Sequence, residues 1–163
     1  QQGFEGIQWI VERPSMLSIV AAYGFLMFAY VIWPTYVPWM VKKIQGKKAK
    51  HNRLFLYVGA IVSLVLLFAL ITQQLSIEVN QGHMDYGIQF PFLAVLGVVY
   101  VTVVCGSLIL SSHKFLTFFG WLILLSASVS TIFYTDVFIS VWCFFAAVLS
   151  LTVTFYLTKK RHR

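Results

Sequence analysis

The chain has 163 residues, 60% of them hydrophobic and 10% charged, with a mean hydropathy of +0.83. A soluble domain carries about 25% charged residues and cannot hide this much apolar surface, so the soluble classes are excluded. The net charge of +7 does not point to nucleic acid, because the basic residues flank apolar runs and form no basic, aromatic-interleaved surface.

The expected fold is an all-α integral membrane protein: one domain over 1–163, with five full transmembrane helices plus a partial N-terminal helix. The partial helix covers 1–12. Gln1 to Val11 is only about 16 Å long as a helix, roughly half of a hydrocarbon core. It reads as the end of a cut span or as an amphipathic helix lying in the interface. Its polar face carries Gln and Glu instead of Lys or Arg, which favours the cut span. Glu12-Arg13-Pro14-Ser15 then leads into a span over about 15–44, with Ser15 as a possible cap. A basic loop over 42–53 follows, then a span over 54–72 and a polar connection over 73–89. Further spans are expected over 90–110, 115–134 and 137–157. They are separated by Ser111-Ser112-His113-Lys114 and by Thr135-Asp136, and a basic tail ends the chain.

Charge sets the expected orientation. With the 42–53 loop in the cytoplasm, all 12 Lys and Arg except Arg13 fall on that side, the C-terminal tail included. Glu12, Glu78, Asp85 and Asp136 fall on the other.

Glu5 is the leading candidate for chemistry. It shares a polar stripe with Gln1, Gln8 and Glu12, while Phe4, Ile7, Ile10 and Val11 cover the other side. A carboxylate in a bilayer costs roughly 2.5–3.5 kcal/mol, so Glu5 should face protein, as a neutral acid or hydrogen-bonded to Gln1, Gln8 or the hydroxyls of 115–134. It could carry protons, bind metal or act as an acid or base; the blander account is a carboxyl that pairs and holds the bundle.

Pro34 and Pro38 break the ladder of their helix, freeing the carbonyls of Tyr30 and Pro34. In lipid these acceptors must find partners, so the break reads as a satisfied kink, a hinge or a small polar cavity. His83 and Asp85 can both reach one metal, with Glu5, Glu78 and Asp136 on the same side. Two ligands are not a site, and a solvated loop accounts for them. Ser111 beside His113 suggests a nucleophile and base, but a helix turn explains the same residues. Cys105 and Cys143 lie in apolar runs and read as packing residues, with a metal or redox pair as the alternative. Small residues mark expected seams at Gly59 and Ser63, at Ala94 and Gly97, and at Cys143, Ala147 and Ser150. Ser126, Ser128 and Ser130 are expected to bond across helices.

Several stretches together resemble a known family. They are Gln1-Gln2 with Glu5-Gly6 and Trp9, Val31-Ile32-Trp33-Pro34 with Pro38, Ser111-Ser112-His113, and Ser140-Val141-Trp142-Cys143-Phe144-Phe145-Ala146-Ala147 with Ser150. The chain resembles an uncharacterised family of bacterial polytopic membrane proteins, a domain of unknown function. The resemblance implies a bacterial inner membrane and a further N-terminal hydrophobic segment that this chain lacks. It implies no activity, substrate or cofactor.

No HExxH, P-loop, GxSxG or CxxC motif is present. The expected function is therefore an accessory subunit or binding module that packs beside other membrane subunits in the lipid bilayer. It needs no cofactor, metal or nucleic acid. One alternative is a membrane-embedded lipid hydrolase, disfavoured because all four histidines lie in loops or the tail. The other is a small transporter drawing on Glu5 and the Pro34–Pro38 break.

Overall fold

A computed structural model describes the chain apart from residues 13–14, 47–49, 74, 81–82, 88–89, 135–136 and 162–163. The side chains at 50–51, 80–83 and 152–161 are likewise outside the description. The fold is all-α, with six helical rods among the described residues. These are α1 (Gln2–Ile10), α2 (Met16–Gln45), α3 (Lys50–Thr72), α4 (Leu93–Ile109), α5 (Lys114–Phe133) and α6 (Phe138–Arg161).

Among the described residues, three stretches are long and apolar enough to cross a membrane: Met16–Gln45, Asn52–Thr72 and Lys114–Phe133. Leu93–Ile109 and Phe138–Leu151 are shorter apolar stretches. The span expected over 90–110 starts late because Phe90-Pro91-Phe92 forms a turn, with Phe92 left-handed at φ 63°. The basic loop expected over 42–53 is also shorter, because α2 continues through Lys42 and Lys43 and α3 begins at Lys50. Lysine is a good helix former whose head reaches water from a helix end.

The 73–89 connection holds two short strands, β1 (Glu78–Asn80) and β2 (His83–Asp85). They pair antiparallel, Glu78 opposite Asp85 and Val79 opposite Met84. Met84 and Tyr86 are buried against the bundle. A three-residue strand carries too little alternation to stand out from a polar loop.

α2 is the central rod, packed by α1, α3 and α4. Its inward stripe runs Ala22, Phe25, Leu26, Ala29, Tyr30, Pro34, Val37, Pro38 and Val41, all buried. Its Ser15 cap is closed by Ser18 in a reciprocal capping box. Met27–Ile32 is wound as a π-helix, and the Trp33 N–H donates to the Phe28 carbonyl five residues back. Pro34 has no N–H to give, and the wider turn moves the displaced acceptors by one residue. Donors therefore meet the neighbours of the expected Tyr30 carbonyl. The Tyr100 hydroxyl donates to Ala29 O at 2.9 Å and the Ser63 hydroxyl to Val31 O at 2.8 Å. Thr35 Oγ1 lies 2.9 Å from Ser63 Oγ.

The Pro34 carbonyl freed by Pro38 lies against Gly59 of α3, where a Cβ would stand 2.1 Å from the oxygen. Gly59 and Ser63 thus form a seam, as expected. Ala94 and Gly97 do not: nothing lies within 4 Å of a Cβ at Gly97, and Ala94 is exposed. The three α5 serines do not make the expected bonds across helices either. Ser126, Ser128 and Ser130 each donate to a carbonyl of their own helix.

Candidate functional site

The polar face of α1 is the first half of the site. Glu5 and Gln8 are buried, while Glu12 is exposed and leaves the stripe. α1 lies on α2 through the Phe4 ring, which sits over Gly24. The Gln8 amide donates to the Ser18 carbonyl at 2.5 Å. Gln1 bridges two helices: the Trp33 indole donates to its Oε1 at 2.6 Å, and its Nε2 donates to Cys143 Sγ at 3.0 Å. The Ser140 hydroxyl donates to the Glu5 carboxyl. The partner expected for Glu5 was Gln1, Gln8 or a hydroxyl of 115–134. It is instead Ser140 on α6, because α1 reaches across α2 to the last helix.

A cavity of about 760 Å³ forms the second half. α5 packs against both α4 and α6, which barely meet each other. Only deeper down does Tyr100 touch Trp142 edge-on, with ring centroids 5.3 Å apart. The gap is walled by apolar side chains of the three helices and roofed by Met84, Asp85, Tyr86 and Gly87. Tyr30, Ser140 and Cys143 bring polar atoms to its inner wall.

Tyr86 is 4% exposed and stacked on Phe25, with ring centroids 5.1 Å apart. Its hydroxyl has no hydrogen-bond partner among the described residues. Burial pushes its phenol well above the ordinary range, and the nearby Glu5 carboxyl and Cys143 thiol add to this. The ring lines the cavity, while the hydroxyl itself is fully buried. A buried hydroxyl left unpaired costs about 1–3 kcal/mol.

The sequence candidates divide by position. Gln1 and Glu5 converge on Trp33, Ser140 and Cys143, with Gln8 one turn further along α1. Asp85 reaches the cavity rim, its Oδ1 accepting the Gly87 N–H at 2.9 Å. Pro34 and Pro38 are buried behind the site, on the α3 side. His83 lies in β2, with its side chain outside the described residues, as is Asp136.

His113 is at the opposite end and exposed. Its N–H donates to Ser111 Oγ at 3.1 Å, and that oxygen also accepts the Gln45 amide at 2.8 Å. Asn52 donates in turn to Gln45 at 2.9 Å, so the serine joins a structural network between helix ends. Among the described residues, no three His, Cys, Asp or Glu side chains gather as a metal site.

Tyr86 and Ser140 both line the cavity and were not singled out as candidates from the sequence. Ser140 opens the family-like stretch 140–147, and Tyr86 follows His83 and Asp85, so both stood beside recognised signals.

Fold and site together define an all-α protein of apolar helices, with a largely apolar cavity closed by a polar end. The chain belongs to a family of unknown function (DUF6629), whose model matches residues 8–163. No curated protein and no solved structure matches it.

Proposed function

We propose that this is a polytopic inner-membrane binding module. It holds an amphipathic, lipid-like molecule in the cavity between α4, α5 and α6. The observation that carries the reading is the cavity itself, about 760 Å³ and largely apolar in its lining, with polar atoms of Tyr30, Ser140 and Cys143 gathered at one wall.

The membrane setting is supported by surface chemistry. Leu54, Tyr57, Ile61, Leu64, Phe68 and Ile71 form an exposed apolar stripe along α3, and Phe118, Trp121, Leu125 and Ile132 form another on α5. In water such surfaces would drive association. The positive-inside rule then puts the α2–α3 connection and the tail in the cytoplasm, and the hairpin outside. Protease accessibility checks this: cleavage of the 42–53 region only from outside would reverse the topology.

Depth favours a lipid-like occupant. Along α4 the cavity runs from Leu93 to Thr102, roughly 14 Å of helix, about half of a hydrocarbon core. A partner helix would need a groove of full depth. Even so, the open small residues Ala94, Gly97 and Ser128 favour an accessory-subunit reading in which a helix end docks there.

Purification in a mild detergent, followed by organic extraction and mass analysis, separates the two. Enrichment of one amphipathic class, near one molecule per chain, supports the binding module. A lipid profile equal to the bulk membrane, or a stoichiometric protein partner instead, overturns it.

A further inference from the structure

At the end opposite the cavity, Trp39, Lys42, Lys43, Gly46 and Arg53 enclose a depression of about 420 Å³. Two elements build it. The last turn of α2 presents Lys42 and Lys43, and the first turns of α3 present Arg53. Between them Gly46 takes a left-handed φ of 59°, a backbone conformation that suits glycine. The Lys43 ammonium stands 5.7 Å from the centre of the Trp39 ring.

Three cations thus share one pocket whose described lining contains no acidic side chain. The chain has five Asp and Glu side chains. Glu5 and Glu12 belong to the α1 end, Glu78 and Asp85 to the hairpin, and Asp136 follows α5 in sequence. Like charges gathered without a counter-charge repel one another, and a bound anion relieves this.

The surface leading to the pocket identifies the source of that anion. Trp33, Tyr36 and Trp39 form an aromatic ladder on α2, with centroids 5.9 and 5.7 Å apart. Tyr36 and Trp39 are both exposed, as are Leu54 and Tyr57 on α3. An apolar track ending in a basic pocket suits an acyl chain ending in a phosphate. Aromatic side chains prefer the membrane interface, and basic pockets between helix ends on the cytoplasmic side take anionic headgroups.

We infer that Lys42, Lys43 and Arg53 form a binding site for the phosphate headgroup of an anionic phospholipid in the cytoplasmic leaflet. Its chains lie along the Trp33–Tyr36–Trp39 ladder. The site rests on the membrane reading but is independent of the ligand in the other cavity.

The test uses the full chain in a neutral detergent and counts bound lipid by native mass spectrometry. Phosphatidylglycerol, phosphatidylcholine and inorganic phosphate are titrated separately. Phosphatidylglycerol should bind and raise the melting temperature, while the other two should do neither. Each basic residue near a membrane surface contributes about 1 kcal/mol, so Lys43→Gln or Arg53→Gln should weaken binding about fivefold. The triple Gln variant should weaken it on the order of a hundredfold.

Charge-preserving Lys42→Arg, Lys43→Arg and Arg53→Lys should keep binding, and Lys114→Gln, elsewhere on the same side, should leave it unchanged. Equal binding of phosphatidylcholine, binding of inorganic phosphate alone, or equal loss in Lys114→Gln would each overturn the site. Alkaline extraction of cell membranes tests the membrane reading separately, since a protein released by carbonate fails there before any lipid is added.

Discussion

Glu5 and Tyr86 are both buried polar groups, and substitution should affect them in opposite ways. The Glu5 carboxyl accepts from Ser140 and ties α1 to α6. Glu5→Gln keeps an acceptor there and should be mild. Glu5→Leu strands the Ser140 hydroxyl and should cost about 1–3 kcal/mol in detergent unfolding. Equal stability of the two variants would show that the pair does not hold the helices.

Tyr86 has an unpaired hydroxyl, so Tyr86→Phe removes a penalty from the empty protein. That variant should melt no lower than wild type in thermal unfolding. A lower melting point would show that the hydroxyl is already paired. At this scale the sequence was partly legible. A polar stripe on an apolar helix announced that Glu5 and Gln8 face protein. Its partner Ser140 lies 135 residues away, and no local period reports which remote helix a side chain meets.

Small residues on α3 and α4 looked alike in sequence and do different work. Gly59 receives the Pro34 carbonyl, and a Cβ there would stand 2.1 Å from that oxygen. Both groups are backbone, so α2 and α3 must part. Gly59→Ala should cost about 1–3 kcal/mol or more, measured by thermal unfolding. Gly97 has open space instead, and Gly97→Ala should stabilise α4 by roughly 0.5–1 kcal/mol. If both substitutions proved neutral, the close approach of α2 and α3 would be wrong. Glycine permits either a seam or an open groove, and composition cannot tell which face of α4 lies against α5. The proline break was legible from Pro34 and Pro38. The π-turn was not, because which carbonyls it exposes depends on donors brought by Ser63 and Tyr100 from other helices.

Across the whole molecule, the long apolar runs were the most readable feature. Run length and helical propensity are local, so the cores of α2, α3 and α5 fell where hydropathy put them. α4 began late because the turn at Phe90-Pro91-Phe92 is apolar and carries no polar signal. The hairpin went unread because its strands are stabilised by burying Met84 and Tyr86 against the bundle, a tertiary effect. The cavity was hidden for the same reason: it arises where α4 and α6 fail to meet across α5.

That gap is the core of the functional proposal, and Gly97→Phe fills it from a position with room for a side chain. Native mass spectrometry of wild type and Gly97→Phe, purified side by side in mild detergent, compares their occupancy directly. The wild type should carry one amphipathic molecule per chain, and the variant should fold equally well and run empty. An empty wild type, or equal occupancy in the two proteins, would contradict a ligand-binding cavity.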